Sequence, residues 1–284
     1  MAFRTLLRRL HRSSGRHRGL EPSHSTLRWH SVSSCREYDL CPRRYRYAYV
    51  ERLKQDRPAP EGWRYGTVVH SALEAAYRAR AEGALKPAME QAAIGALHDA
   101  WDRERLPDDD ADWRDRAEGL VRNTVAADLV HANDILAVEH RFRAQFDNTT
   151  AFAGYADLVL RRDDRTVEIV DHKVTRRVLD PQTLAADQQL NLYGWLAKNE
   201  WPWARRVIAT HHYPPAATTT TVELTDATMD KTMRDLAATA RRAATDTEFR
   251  PTPGAHCSHC SWAERCPAAA HPDADRRAAG TRTA

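Results

Sequence analysis

The spacing of hydrophobic positions changes along the chain. In most of the first half, apolar residues recur at the three- to four-residue spacing of a helix face. Further on they alternate with polar residues, which predicts strands. The predicted helices span residues 34–50, 66–82, 87–103, 113–132, 181–198 and 226–245, and the predicted strands span 135–146, 152–161, 166–173, 207–213 and 218–224.

The order of these segments is helices, three strands, a helix, two strands and a helix. This order predicts one mixed α/β or α+β sheet with helices packed against it. The chain has 284 residues, of which 42% are hydrophobic and 29% charged, and it is long enough for a large buried core of ordinary composition. Because no apolar run approaches the roughly 20 residues that span a bilayer, we expect no transmembrane helix.

Positive charge is concentrated at the N-terminus. Residues 1–34 contain seven arginines and one acidic residue, whereas the rest of the chain is close to neutral. Such a tail binds phosphates weakly and without sequence preference. Its composition also fits a mitochondrial-type presequence or a disordered start. We predict a basic disordered tail over residues 1–30, a single domain over residues 31–267 and a second disordered tail over residues 268–284.

Two aspartates and a lysine interrupt the apolar pattern of neighbouring predicted strands. Asp157 lies in strand 152–161, and Asp171 and Lys173 lie in strand 166–173. Asp171 and Lys173 are two residues apart and so share one face, which Asp157 can reach from the adjacent strand. Converging carboxylates bind a hard cation such as Mg²⁺, which activates water for hydrolysis while the lysine orients that water. A solvated cross-strand charge pair is the alternative.

The segments Gly-Tyr-Ala-Asp157 and Asp171-His-Lys173 resemble motifs two and three of PD-(D/E)XK nucleases of the RecB type. That group includes the nuclease domains of RecB and AddB and the small CRISPR-adaptation nucleases. The resemblance extends over residues 31–267, although Ala156 stands where the superfamily's name places proline. The accompanying motifs, in the family's order, are Cys41-Pro42, Gly66-Thr-Val-Val-His70, Gln189-Leu-Asn-Leu-Tyr193 and Cys257-x2-Cys260-x5-Cys266.

The resemblance implies a restriction-endonuclease-like central mixed sheet flanked by helices, with the N- and C-terminal segments joined at a metal cluster. It also implies a DNA nuclease that depends on Mg²⁺ or Mn²⁺. Without the resemblance, ordinary structural roles explain these positions equally well. A helix surface or core packing accounts for His70, Gln189 and Tyr193, and a solvated helix position accounts for Glu74. The implied metal ligands are His70, Asp157, Asp171 and the carbonyl of His172, and the implied catalytic residues are Asp157, Asp171, Lys173, Gln189 and Tyr193.

Five cysteines occur, and three of them are crowded into ten residues. Their odd number and the lack of a secretory signal do not fit a disulfide framework, so we expect a reducing cytoplasm and metal-binding thiols. Four thiolates suit Zn²⁺ or a [4Fe–4S] cluster. The single C-x2-C knuckle and the resemblance favour a structural iron–sulfur staple, whereas His256 and His259 allow a mixed zinc site, and Cys35 is an idle thiol. The predicted cluster ligands are Cys41, Cys257, Cys260 and Cys266.

DNA, single-stranded or with a free end, is the partner that the resemblance implies. Residues 43–52 combine arginines and tyrosines, which suits a single-stranded backbone or an amphipathic helix that packs its tyrosines on the core. Arg176 and Arg177 follow Lys173 and lie nearest to the predicted metal site. The chain has no G-x4-G-K-[S/T] motif, so unwinding would need a helicase partner. Recombination, repair and CRISPR adaptation are compatible roles, and a catalytically silent DNA-binding or scaffold protein with a structural zinc site is the alternative.

Overall fold

The computed structural model describes residues 27–55, 59–107, 111–128 and 130–268. Within these residues, six strands form one mixed sheet with helices on both faces. This architecture confirms the predicted α/β (α+β) fold with a central mixed sheet flanked by helices. The predicted tails at residues 1–30 and 268–284 lie outside the described residues except for a few positions at their inner ends.

Helices precede, interrupt and follow the strands of the sheet. None of the described helices is long and apolar enough to cross a lipid bilayer. The strands are β1 (Arg28–His30), β2 (Ile135–Gln145), β3 (Thr150–Arg161), β4 (Thr166–His172), β5 (Arg206–Tyr213) and β6 (Thr218–Leu224). The helices are α1 (Val32–Leu40), α2 (Pro42–Tyr45), α3 (Glu61–Ala81), α4 (Lys86–Glu104), α5 (Ala111–Ala127), α6 (Pro181–Ala185), α7 (Gln188–Glu200) and α8 (Asp226–Thr245), with a π-helix at Arg46–Val50.

The sheet follows the strand order β1-β3-β4-β5-β6, and β2 pairs with β3 outside this path. β3 is antiparallel to both β2 and β4, whereas β4 runs parallel to β5. The short β1 runs parallel to the beginning of β3, and β6 is antiparallel to β5. Because β3 is twelve residues long, it pairs with β1 at its start, with β4 at its end and with β2 along most of its length.

Helices cover the two faces of the sheet in different ways. α7 and α8 bury one face, where Leu190 packs in the same cluster as Ile169. α3 covers part of the other face, where Leu73 packs with Leu158. α4 and α5 form a further layer on α3 around the fully buried Trp101. α3 is therefore held between the sheet and a helical layer, which fixes the side chains that it presents to the sheet.

The N-terminal region differs from its sequence prediction in two places. The predicted helix 34–50 is interrupted at Cys41, whose backbone is extended (φ −162°). This conformation is the one that a following proline favours, and Pro42 then begins the next helix. The predicted tail ran to residue 30, whereas Arg28–His30 forms β1 and pairs with β3.

Two helix boundaries in the second half of the chain also differ from their predictions. The predicted helix 181–198 consists of α6 and α7, which are separate because Asp187 starts a new helix. Its carboxylate accepts a 2.8 Å hydrogen bond from the backbone N–H of Gln189 and so caps α7. The cap of α8 is Thr225, one residue before the predicted cap Asp226.

Candidate active site

Strands β3 and β4 bring the two predicted aspartates to neighbouring positions. Their pairing ends at Leu158 with Val170, and Asp157 and Asp171 are the next residues of the two strands. The Asp157 carboxylate accepts a 2.7 Å hydrogen bond at Oδ2 from the backbone N–H of His172. This bond ties the side chain of one strand to the backbone of the next and fixes the end of the hairpin.

Lys173 and Gln189 hold the Asp171 carboxylate from two sides. Lys173 Nζ lies 2.6 Å from Asp171 Oδ2, and Gln189 Nε2 donates a 3.2 Å hydrogen bond to Asp171 Oδ1. The same amide donates to the phenol oxygen of Tyr193 at 2.9 Å. The side chain of Asp171 is 5% exposed and that of Lys173 is 33% exposed. The ammonium group is therefore the part of this network that reaches solvent.

The ring of Tyr193 lies directly on the backbone of β3. A Cβ atom at Gly154 would stand 2.2 Å from Tyr193 Cε1 and 3.0 Å from Cδ1. Only glycine leaves room for such a close approach of ring and strand. Gly154, the glycine of the Gly-Tyr-Ala-Asp segment, therefore makes room for the ring of Tyr193. Tyr193 in turn helps to position Gln189.

His70 reaches the site from α3. This helix begins at Glu61, earlier than the predicted start at Gly66, and its apolar side packs on β3 and β4. His70 Nδ1 lies 3.4 Å from Asp157 Oδ2. Ligand atoms of His70, Asp157 and Glu139 all lie within 4.8 Å of one another. One imidazole and two carboxylates are a donor set that suits Mn²⁺ or Mg²⁺, so these residues fit a divalent cation.

Glu139 is a site residue that the sequence reasoning missed. It lies on β2 between His140, which pairs with Ala156, and Val138, which pairs with Leu158. Its backbone has φ +49°, in the left-handed region that a glutamate rarely adopts within a strand. Such strain persists where the surroundings impose it, and it recurs at functional sites. The available signal was that Glu139 is the only acidic residue of β2.

The predicted metal ligands Asp171 and His172 do not belong to the three-residue group. Asp171 is occupied by Lys173 and Gln189. The imidazole of His172 is buried and stacks on Tyr77, with ring centroids 5.5 Å apart. Its Nδ1 lies 3.0 Å from Nδ1 of His212. The backbone N–H of His172 donates to Asp157, and its ring centroid lies 6.3 Å from that of His70. Metal ligation by the His172 carbonyl stays a prediction.

The pKa values of the carboxylates in the site are shifted in opposite directions. Burial, and after it the neighbouring carboxylates, raises the pKa of Glu139 to about 7. Burial also raises the pKa of Asp171 to about 6, although Lys173 opposes the change. For Asp157, burial raises the pKa, but the hydrogen bond to His70 and the charges of nearby histidines outweigh it and leave the pKa below its usual value. The site therefore carries buried acids that a divalent cation would stabilise.

The four predicted cluster cysteines line one cavity. Cys41 and Cys260 are buried, and Cys257 and Cys266 are half-buried. The sulfur of Cys41 accepts a 3.4 Å hydrogen bond from a backbone N–H of the C-terminal segment, at Thr252. In the described part of the chain, no three cysteine sulfurs lie within 4.8 Å of one another. Four thiols around one cavity are a donor set that suits a soft metal group.

Cys35 lies apart from that cavity. Its thiol is buried, and its sulfur is 3.8 Å from the carbonyl oxygen of Leu236. Burial raises the pKa of this thiol to about 12. A thiol with so high a pKa is a poor nucleophile and a poor metal ligand.

The arginine- and tyrosine-rich segment 43–52 is largely used for packing. Tyr45 and Tyr47 are each 8% exposed. Arg44 pairs with a glutamate of α1 at 2.7 Å, and Arg46 pairs with Glu51 at 2.5 Å. Tyr45 and Tyr47 thus pack as the amphipathic-helix interpretation predicts, whereas Tyr49 is 42% exposed.

The chain is similar to known proteins over most of its length. A family model described as the PD-(D/E)XK nuclease superfamily matches residues 30–267. The crystal structure of a candidate exonuclease from Eubacterium rectale shares the fold, with a TM-score of 0.54, 10% identity, and coverage of 86% of this chain and 93% of that chain. The crystal structure of SSO0001 covers 88% of this chain and 89% of its own at 16% identity, but its TM-score of 0.37 is too low to support an argument. No curated protein matches the chain.

Proposed function

Because this chain belongs to the PD-(D/E)XK nuclease superfamily, we propose that it is a Mg²⁺- or Mn²⁺-dependent deoxyribonuclease that hydrolyses DNA from an end. The observation that carries the proposal is the contact of Lys173 Nζ with Asp171 Oδ2 at 2.6 Å, beside the group formed by His70, Glu139 and Asp157. An ammonium group on a buried carboxylate, next to a set of cation ligands, is what metal-assisted hydrolysis of a phosphodiester requires.

The ligands of the cation would be His70, Glu139 and Asp157, with Asp171 on the adjoining strand. A bound divalent cation supplies Lewis acidity to the phosphoryl oxygens and lowers the pKa of bound water. The protein keeps these ligands in place through the backbone N–H of His172, which donates to Asp157. Without this hydrogen bond, the Asp157 carboxylate would be free to turn away from His70.

Lys173 would orient the attacking water and stabilise the negative charge that develops during attack. Burial lowers its pKa, but Asp171 raises it more, so the pKa of Lys173 is above its usual value and the side chain stays cationic. Gln189 holds the other oxygen of Asp171, and Tyr193 receives the second hydrogen bond of the same amide. Gln189 and Tyr193 thereby keep Asp171 directed towards Lys173.

We also propose that Cys41, Cys257, Cys260 and Cys266 hold a [4Fe–4S] cluster, as in the RecB-type branch that the motifs resemble. The single C-x2-C knuckle, with Cys41 and Cys266 apart from it, favours this cluster over a zinc site. All five cysteines are free thiols, in keeping with a reducing cytoplasm. Recombination, repair or CRISPR adaptation would be the setting.

The test is digestion of end-labelled single-stranded DNA by the wild type and by Lys173→Ala, with Mn²⁺, with Mg²⁺ and with EDTA. Loss of one group that stabilises developing charge costs about 10²- to 10³-fold in rate, so Lys173→Ala should lose at least about 100-fold in cleavage rate. The wild type should be inactive in EDTA. A thermal unfolding midpoint close to that of the wild type serves as the control for folding.

Equal cleavage by the two proteins would reject this mechanism. Absence of cleavage by the wild type with either metal would instead favour the silent DNA-binding or scaffold protein. The label distinguishes the mode of attack, because an exonuclease releases short products from one end from the first time point onwards.

A further inference from the structure

A row of arginine and aromatic side chains lies on the β2–β3 hairpin next to the candidate active site. The hairpin pairs Arg141 with Tyr155, and the guanidinium of Arg141 is 5.8 Å from the centroid of that ring. Two residues further along β2, the guanidinium of Arg143 is 4.1 Å from the ring centroid of Trp29 on β1. We call Trp29, Arg141, Arg143 and Tyr155 the Arg–aromatic track.

The track lies on the face of the hairpin that α7 does not cover. The intervening residues Phe142 and Gly154 pair with each other and face Tyr193 of α7, whose ring centroid is 6.3 Å from that of Phe142. Since neighbouring residues of a strand point to opposite faces, Arg141 and Tyr155 point away from α7. Tyr155 is 52% exposed, which matches this placement.

The track leads directly to the metal-ligand group. Glu139 and Asp157 lie two residues from Arg141 and Tyr155, respectively, on the same two strands. At about 3.3 Å per strand residue, the first pair of the track is about 7 Å from these acids and Arg143 is about 13 Å from them. A ligand that binds along the hairpin would therefore meet the candidate metal site at one end.

The composition of the track is unusual for a sheet surface. In the portion of the chain that the structure describes, neither Arg141 nor Arg143 has a carboxylate partner, whereas Arg44, Arg206 and other arginines are paired. Trp29 is 43% exposed although it is a large apolar residue. Two guanidinium groups without counter-ions and two exposed rings form a cationic surface that also offers flat apolar area.

We propose that the Arg–aromatic track binds single-stranded DNA and leads its terminal nucleotides to the candidate active site. This inference rests on the proposed function and adds the substrate form and the binding surface to it. Exposed rings stack on bases only where the bases are free of a duplex, and guanidinium groups bind the phosphates between them. At the 3.4 Å rise of a B-form strand, a length of about 13 Å holds about four nucleotides, and fewer in an extended strand.

The test is fluorescence anisotropy with a labelled oligothymidylate in EDTA, so that binding is measured without cleavage. Loss of one stacked base costs about 5- to 150-fold in affinity, and we expect a loss in this range for Tyr155→Ala and for Trp29→Ala. Tyr155→Phe keeps the ring and should bind like the wild type. Arg143→Gln should reduce the slope of log K against log salt by about 0.7, as for one lost phosphate contact on a single strand.

A matched control lies at the other end of β3. The guanidinium of Arg161 is 4.9 Å from the ring centroid of Trp203 and 3.4 Å from Asp164 Oδ1. It is also an exposed arginine stacked on a tryptophan, but it has a carboxylate partner and lies outside the track. Arg161→Gln should bind the oligonucleotide like the wild type. The proposal is overturned if Tyr155→Ala and Arg143→Gln bind within twofold of the wild type, if Arg161→Gln weakens binding equally, or if blunt duplex DNA binds as tightly.

These outcomes are separate from the failure of the proposed function. If the wild type cleaves DNA while the track variants bind and cleave normally, only the track is rejected. If the wild type does not cleave with either metal but Tyr155→Ala still weakens binding, only the nuclease is rejected. Thermal unfolding midpoints show whether any variant has lost its fold. Tyr155→Phe tests the same position with a substitution that disturbs the structure least.

Discussion

Gly154 is the residue at which the absence of a side chain matters most to the site. A methyl group there would stand 2.2 Å from a ring carbon of Tyr193. The ring cannot retreat easily, because its hydroxyl is bonded to Gln189 at 2.9 Å and Tyr193 is only 6% exposed. Gly154, Tyr193 and Gln189 thus constrain one another's positions, and Gln189 in turn holds Asp171.

We expect Gly154→Ala to destabilise the protein by about 1–3 kcal/mol, the usual cost of overpacking a core. It should also lower activity, because Tyr193 and Gln189 must move. In a Tyr193→Ala background the same change should cost much less, since the two sites interact through one contact. Urea unfolding of the four proteins measures the coupling. Equal costs in both backgrounds would contradict this account.

Glu139 makes the effect of a divalent cation depend on pH. Its pKa is about 7 in the folded protein, above the usual value of 4.5. The metal-free folded state therefore binds this proton more tightly than the unfolded chain does, and it loses stability as pH rises through about 7. A cation bound beside the ionised carboxylate offsets that loss, so Mn²⁺ should raise the unfolding midpoint more at about pH 8 than at about pH 6.

Glu139→Gln should remove most of this pH dependence and weaken Mn²⁺ binding. Glu223→Gln is the matched control, because Glu223 is a surface carboxylate paired with Arg206 far from the cation ligands along the sheet. Thermal unfolding and calorimetric titration with Mn²⁺ measure the two effects. A pH dependence that persists unchanged in Glu139→Gln would show that another group is responsible.

The sequence predicts some residues of the site better than others for a physical reason. Asp157, Asp171 and Lys173 are visible because a charged residue within an alternating apolar strand is costly to bury without a partner. Glu139 is only half-buried, and the alternating polar positions of its strand 135–146 carry several other charged or ionisable residues, so one more does not stand out there. Its role depends on an unusual backbone conformation, φ +49°, which no local pattern encodes.

At the scale of the element, the break between α6 and α7 places Gln189 in the first turn of a helix. Periodicity alone predicts one helix over 181–198, because the apolar residues keep their spacing across the break. What ends α6 and begins α7 is the Asp187 carboxylate, which accepts hydrogen bonds from the backbone N–H groups of Gln189 and Leu190 and so competes with a continuous helix. The Asp187 cap thereby holds the turn from which Gln189 donates to Asp171.

Asp187→Ala should therefore affect both stability and activity. Loss of a helix cap costs about 1 kcal/mol, and the first turn of α7 would fray at Gln189. Thr225→Ala is the matched control, since Thr225 caps α8 through the backbone N–H of Thr228. The control should cost similar stability and leave the cleavage rate per folded molecule unchanged. Equal rates for the two variants would exclude a positioning role for this cap.

β1 shows the limit of pattern reading for short elements. It has three residues, too few for any alternation to stand out, and it follows directly on a basic tail. Its only partner is β3, more than 100 residues away in sequence, in the pairing of Trp29 with Ala151. Because such pairing depends on tertiary contacts, the sequence predicts the longer strands, including the edge strand β6, but not the short β1.

At the scale of the whole molecule, the two ends of the domain are packed together. The phenol of Tyr38 donates to Asp246 at 2.9 Å, and that of Tyr47 donates to the backbone carbonyl of Arg265 at 3.1 Å. The ring of Tyr47 also lies near that of Trp262. The N-terminal helices thus cover the C-terminal segment, and the cysteine cavity lies within this contact.

A metal cluster there would close nearly the whole domain into one loop. Cys41 and Cys257 are 216 residues apart in the chain. A link over that distance lowers the conformational entropy of the unfolded chain and so raises the free energy of unfolding by about 4–5 kcal/mol. Cys41→Ala should lose stability on that scale, which is most of a typical domain's net stability. Cys35→Ala, at a buried thiol outside the cavity, should cost less. Urea unfolding and the broad visible absorbance of iron–sulfur proteins measure both variants. If the Cys41→Ala protein is as stable and as strongly coloured as the wild type, the structural cluster is refuted. If the wild type is colourless and contains zinc, the site is a zinc site and not an iron–sulfur cluster.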